Sequence, residues 1–175
     1  MATPTQLDLG SYVPKGLAFS PDASLLLTCT SDDATVLVDA ASPALSVGAR
    51  HPAGAPVYAQ AWSPVHAESS YLRSAKDHPI GLWRARPAGG GPPAPALVAS
   101  YCGYDSKDEV MAARSLAFST RRDQVIAGYD SLVLMFDVAR PGRDAERRPA
   151  AGTRKSGTGQ RGLLTAIAVN PDCTG

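Results

Sequence analysis

Leu17-Ala18-Phe19-Ser20-Pro21 decides the fold, because the chain repeats it. Gln60-Ala61-Trp62-Ser63-Pro64, Leu116-Ala117-Phe118-Ser119-Thr120 and Ile167-Ala168-Val169-Asn170-Pro171 carry the same pattern. An alanine keeps one register, a large apolar residue comes next, then a short polar residue, then proline in three of the four copies. Side chains alternate faces along a strand. Phe19, Trp62, Phe118 and Val169 are therefore expected to pack between neighbouring sheets, with the alanines on the tighter opposite side. Proline cannot donate to a ladder, so Ser-Pro and Asn-Pro end the strand. Pro21-Asp22 and Pro171-Asp172 then form turns.

The segments downstream of each motif also repeat. Leu25 to Thr30 is a second apolar run, and Ser31-Asp32-Asp33 turns it into Thr35-Val36-Leu37-Val38-Asp39. Tyr71 to Ala75 passes Lys76-Asp77-His78-Pro79 to reach Ile80-Gly81-Leu82-Trp83. Asp123 to Gly128 passes Tyr129-Asp130-Ser131 to reach Leu132 to Asp137. Each unit reads strand, turn, strand, turn, strand, and the units return every 43 to 56 residues. Such a period marks a repeat architecture. A β-sandwich needs no repeated sequence, whereas propeller blades repeat because each meets its neighbours in the same way.

The fold class is thus all-β, a partial β-propeller. Residues 1–14 form an N-terminal extension. Blade units span about 15–56, 57–100 and 101–161, with an incomplete unit at 162–175. Propellers close with about 4 to 8 blades, so three and a half blades are expected to belong to a larger, truncated propeller; a compact four-blade ring is the alternative. Residues 85–96, with Gly89-Gly90-Gly91-Pro92-Pro93, read as a flexible surface insertion between blades.

Composition narrows the function classes. Hydrophobic residues make up 44% of the chain, and 17 basic against 16 acidic residues give a net charge of +1. The overall charge favours no nucleic-acid or membrane partner. Met1 to Gly10 lacks the pattern of a secretory signal, and no apolar run approaches the ~20 residues of a membrane span. The chain reads as soluble, cytoplasmic or nuclear. Cys29, Cys102 and Cys173 are odd in number and have no zinc-ligand spacing; they read as reduced, inert thiols. His51, His66 and His78 are dispersed. No nucleophile elbow, Walker motif or dinucleotide fingerprint occurs, so no catalytic residue, metal site or cofactor is assigned, and an enzyme is not expected. Asp32 and Asp33 sit where a turn needs them.

The best candidate chemistry is basic. Arg140, Arg143, Arg147, Arg148, Arg154, Lys155 and Arg161 crowd one Gly-rich stretch. Guanidinium groups bind phosphate bidentately and stack on unpaired bases. Tyr101, Tyr104 and Lys107 form a smaller aromatic and basic group, of a kind on which bases stack. Arg140, Arg143, Arg147, Arg148, Tyr104 and Lys107 are the candidate RNA-binding set. The competing readings are a solvated loop, a strand edge packing its tyrosines, and a salt bridge from Asp144 to Arg140 or Arg143.

The repeats resemble the WD-repeat family. Val38-Asp39, Trp83-Arg84 and Phe136-Asp137 stand where that family has Trp-Asp, although no copy keeps the full pair and the Gly-His opening is missing. Residues 105–119, the Ala139-Arg140-Pro141-Gly142-Arg143-Asp144 stretch, residues 128–136 and 162–171, and His78 to Trp83 resemble the telomerase Cajal body protein family in collinear order. Arg-Pro-Gly-Arg-Asp is the most specific of these. The resemblance implies a non-catalytic subunit that binds small Cajal body RNAs and telomerase RNA and directs the ribonucleoprotein to Cajal bodies in the nucleus. It also leaves a broader alternative, a protein–protein interaction platform acting through the propeller faces, as an assembly scaffold or ligase substrate adaptor.

Overall fold

The computed structural model describes residues 9–41, 45–64, 69–87, 91–121, 123–152 and 158–170. Three four-stranded antiparallel sheets account for most of it. The first holds β1 (Pro14–Phe19), β2 (Leu25–Thr30), β3 (Ala34–Asp39) and β4 (Ser46–Pro52) in sequence order. The second holds β5 (Val57–Trp62), β6 (Ser70–Ala75), β7 (Ile80–Arg84) and β8 (Ala96–Tyr101). A short hairpin, β9 (Gly103–Tyr104) and β10 (Val110–Met111), leads to the third: β11 (Ser115–Phe118), β12 (Gln124–Gly128), β13 (Leu132–Asp137) and β14 (Ala145–Pro149). The first strands gather, with β5 against both β1 and β11. That radial order is what blades around an axis require.

The motif's serines tie the turn in the first and third sheets. Ser20 Oγ donates to Asp22 Oδ1 at 2.6 Å and accepts the Leu25 N–H at 3.0 Å. Ser119 repeats this with Asp123 at 2.6 Å and the Gln124 N–H at 3.1 Å. These bonds hold the Asp22 carboxyl below its ordinary range, the Ser20 hydroxyl contributing most. Asp33 and Asp77 occupy the equivalent second turns at φ 60° and 57°, a left-handed conformation that aspartate tolerates better than most residues.

Apolar faces meet between sheets. Leu25, Leu27 and Leu37 pack on Tyr71 and Ala85, with Trp62 and Trp83 alongside. A larger cluster joins the second and third sheets through Leu72, Leu82, Tyr101, Phe118, Leu134 and Phe136. All six residues of β2 are buried, because Leu9 and Leu45 pack on its other face, around Leu26, Val36 and Val38. The expected N-terminal extension therefore contributes Leu9 to the first blade.

Three expectations need correction. Phe118 and Trp62 pack toward the preceding sheet, but Phe19 is 61% exposed, because no sheet in this chain stands before the first. Val169 lies outside any strand. In each blade the first strand pairs with the second, and among the described residues no strand pairs with residues 164–170. Each blade has four strands rather than three. β4, β8 and β14 are rim strands with much of their surface in water, and so lack the apolar runs that reveal the inner three. The 85–96 insertion is anchored at one end: Ala85 is buried, and Arg86 pairs with Asp39 at 3.2 Å. Its residues 88–90 lie outside the described residues, as do His66, Arg154, Lys155, Pro171, Asp172 and Cys173.

Candidate nucleic-acid interface

The Arg140–Asp144 stretch is the turn between β13 and β14, and its backbone is bound to the previous blade. The Gly142 N–H donates to the Ser100 carbonyl at 2.9 Å, and the Cys102 N–H to the Gly142 carbonyl at 2.8 Å. Gly142 adopts φ 126° to make this approach, a conformation that favours glycine. Tyr101 adds its hydroxyl, donated to the Val138 carbonyl at 3.0 Å. Tyr101 itself is fully buried and tilts against Phe136 at 5.7 Å. It belongs to the core, not to the candidate surface.

Two of the candidate arginines meet Tyr104. Arg143 lies over Tyr104, 4.9 Å from the ring centroid, and reaches Asp108 at 3.3 Å. Arg147 donates to the Tyr104 carbonyl at 3.2 Å. Lys107 sits in the β9–β10 turn, where the Asp105 carboxylate accepts its backbone N–H at 2.7 Å. Asp105 also accepts the Glu109 N–H at 3.0 Å, and these backbone bonds lower its pKa. Arg140 stands apart, paired with Asp137 at 2.8 Å.

The arginines do not form one loop. Arg147 and Arg148 lie on β14, because Ala145 to Pro149 pairs with Leu132 to Phe136. The alternation of that strand separates them. Arg147 shares a face with Leu134 and Phe136, toward the second blade; Arg148 and Glu146 share the opposite face and pair at 2.9 Å. The expected Asp144 bridge is also replaced: Asp137 holds Arg140 and Asp108 holds Arg143. Both arginine side chains remain open to solvent, at 80% and 69% exposure.

A different cationic group lies between the first two blades, and no sequence motif reveals it. Arg73 is 9% exposed and stacks on Trp83 at 4.6 Å. His51 Nδ1 lies 3.3 Å from its guanidinium, and the His51 ring meets Trp83 edge-on at 4.3 Å. Burial, then the Arg73 charge, holds the imidazole pKa below its ordinary value. The one sequence signal is an arginine in the middle of an otherwise neutral strand.

Comparison with known proteins runs along the same lines. The chain is 30% identical to human telomerase Cajal body protein 1 over 173 residues, 90% of this chain and 30% of that protein. It is a β-propeller chain similar to telomerase Cajal body protein 1. The golden hamster protein is 32% identical over 177 residues, covering 90% of the chain and 30% of the relative. The Drosophila melanogaster homolog is 34% identical over 158 residues, covering 79% and 28%. The chain thus spans about 30% of the length of these telomerase Cajal body proteins. No family model matches the chain. Among solved structures, the β-propeller domain of Myceliophteria thermophila Cps50 (Swd1) aligns with a TM-score of 0.68 at 13% identity, covering 92% of this chain and 48% of that one. That likeness concerns the fold.

Proposed function

We propose that this chain is part of a non-enzymatic scaffold that binds small Cajal body RNAs and telomerase RNA and directs their ribonucleoprotein to Cajal bodies in the nucleus. The observation that carries the reading is the collinear similarity to telomerase Cajal body protein 1 over 90% of the chain. Exposed Arg143 over the half-buried Tyr104 ring, together with Arg147 and Lys107, is the RNA-contacting surface in this proposal, with Arg140 and Arg148 at its margins. A solvent-exposed arginine beside an aromatic ring can stack on an unpaired base and donate to phosphate.

One observation favours the broader reading, a protein–protein interaction platform. Arg140, Arg143 and Arg148 each have a carboxylate within 3.3 Å, so the local charge is largely compensated. Substitution separates RNA contact from a structural role for these arginines. Surface ion pairs of this kind contribute little to stability, so Arg140→Gln with Arg143→Gln leaves the thermal midpoint nearly unchanged. If both contact RNA, affinity for transcribed telomerase RNA falls, and the salt dependence of binding weakens by roughly one unit of slope per lost phosphate contact. A lowered midpoint with the salt slope intact would assign both arginines to structure and remove them from the RNA surface.

A further inference from the structure

The second blade holds a buried cation with no counter-charge among the described residues. Arg73 is 9% exposed. Its Nη1 lies 3.3 Å from His51 Nδ1, and its guanidinium lies 4.6 Å from the centroid of the Trp83 ring. Neither partner supplies a negative charge, and burial favours the neutral form of His51. No carboxylate pairs with Arg73 among the described residues. Asp32, Asp33 and Asp39 of the first blade pair instead with Arg50, Lys15 and Arg86. Burial pushes the Arg73 pKa down, but a guanidinium stays protonated in proteins. An unpaired buried charge is strongly destabilising, so an anion at this place relieves a standing cost.

A cavity of ≈ 130 Å³ lies beside it, lined by Arg73, Gly81, Trp83 and Ser100. Arg73, Gly81 and Ser100 form one cross-strand row over β6, β7 and β8. Residues in such a row share a face of the sheet. Gly81 leaves the middle of the row empty, and a Cβ there would collide with Trp83 Nε1. That indole N–H is buried and has no hydrogen-bond partner among the described residues. Two donors, one of them charged, therefore meet at one small space. The other walls are mainly apolar, Ala75, Pro79 and Leu97 among them, and no carboxylate lines the cavity among the described residues.

We infer that this cavity binds a small aliphatic carboxylate, its oxygens on the Arg73 guanidinium and the Trp83 N–H and its short chain against the apolar walls. A planar carboxylate matches the fork of a guanidinium. Phosphate brings more oxygens and more charge than one cation and one indole N–H satisfy. The space equals about four waters of liquid volume, which suits a free acid rather than a side chain with its peptide backbone. This inference is independent of the RNA-binding proposal, which concerns the rim of the third blade.

Titration of the full chain with sodium propionate at neutral pH and constant ionic strength tests it, read from the indole N–H resonance of Trp83. The Trp83→Phe chain assigns that resonance by its disappearance. Propionate should shift it downfield in a saturable way and raise the thermal midpoint, whereas sodium chloride should do neither. Arg73→Met should weaken propionate binding at least about tenfold, as loss of hydrogen bonds from a charged donor requires. Replacing an uncompensated buried charge by an apolar side chain is compatible with folding, which circular dichroism verifies. Arg73→Lys, which keeps the charge without the fork, should retain part of the affinity. The inference is overturned if the Trp83 resonance of the parent chain does not respond, if Arg73→Met binds propionate as the parent does, or if phosphate binds more tightly than propionate. It is also overturned if glutamate blocked as N-acetyl methylamide binds more tightly than propionate, which would assign the site to a side chain of another protein segment.

Discussion

Phe136→Ala should lower the stability of the chain by about 3–5 kcal/mol, the range for truncating a buried aromatic side chain. Phe136 is fully buried in the cluster that joins the second and third blades. Its loss removes the ring that meets Tyr101 at 5.7 Å and opens a cavity in the seam between two blades. Domains commonly hold only about 5–15 kcal/mol in total, so this one change consumes a large share. For a chain of this size the midpoint should fall by roughly 6–20 °C. Phe19→Ala is the matched control. Phe19 is 61% exposed, so its truncation should cost less than about 0.5 kcal/mol. Equal losses from the two substitutions in thermal denaturation would contradict the blade assignment.

Trp83→Ala should cost about 3 kcal/mol, the low end for tryptophan truncation, since part of the ring is exposed. The larger consequence is chemical. Arg73 loses its stacking surface while remaining buried, and His51 loses its edge contact. The pH dependence should change with it. His51 titrates below its ordinary pKa in the folded chain, so the unfolded chain takes up a proton first as pH falls. The stability tied to neutral His51 is complete above about pH 6.5 and is lost as pH falls through the folded pKa. The depressed carboxyls of Asp22, Asp33, Asp105 and Asp137 lose their contribution only below about pH 4, which keeps the windows apart. Denaturant midpoints between pH 7.5 and pH 5 should drop for the parent chain and stay flatter for His51→Gln. A parent chain with no such drop would contradict the burial of neutral His51 beside Arg73.

The inner three strands of each blade were legible because burial writes a pattern. β2 and β3 are covered on both faces, and so read as continuous apolar runs. The motif turns were legible because serine, aspartate and proline have local reasons to be there. Rim strand β14, Ala145 to Pro149, was not: a strand carrying Glu146, Arg147 and Arg148 in water has the composition of a loop. The same blindness merged Arg147 and Arg148 into one basic segment, when pairing with β13 sends them to opposite faces. Tyr101 and Tyr104, three residues apart, gave no sign that one is core and the other surface. The partners Asp137 and Asp108 of the candidate arginines were equally hidden, because Asp108 approaches Arg143 only once the β9–β10 hairpin folds back.

We propose that this chain serves an RNA-binding scaffold through the rim of its third blade. Ultraviolet crosslinking in cells, with sequencing of the RNA and mapping of the crosslinked peptides, tests it most directly. The account predicts small Cajal body RNAs and telomerase RNA among the enriched species, with crosslinks at Tyr104 or on β14 that weaken in the Arg140→Gln, Arg143→Gln protein. Recovery of no enriched RNA, with intact protein folded in the nucleus, would contradict it.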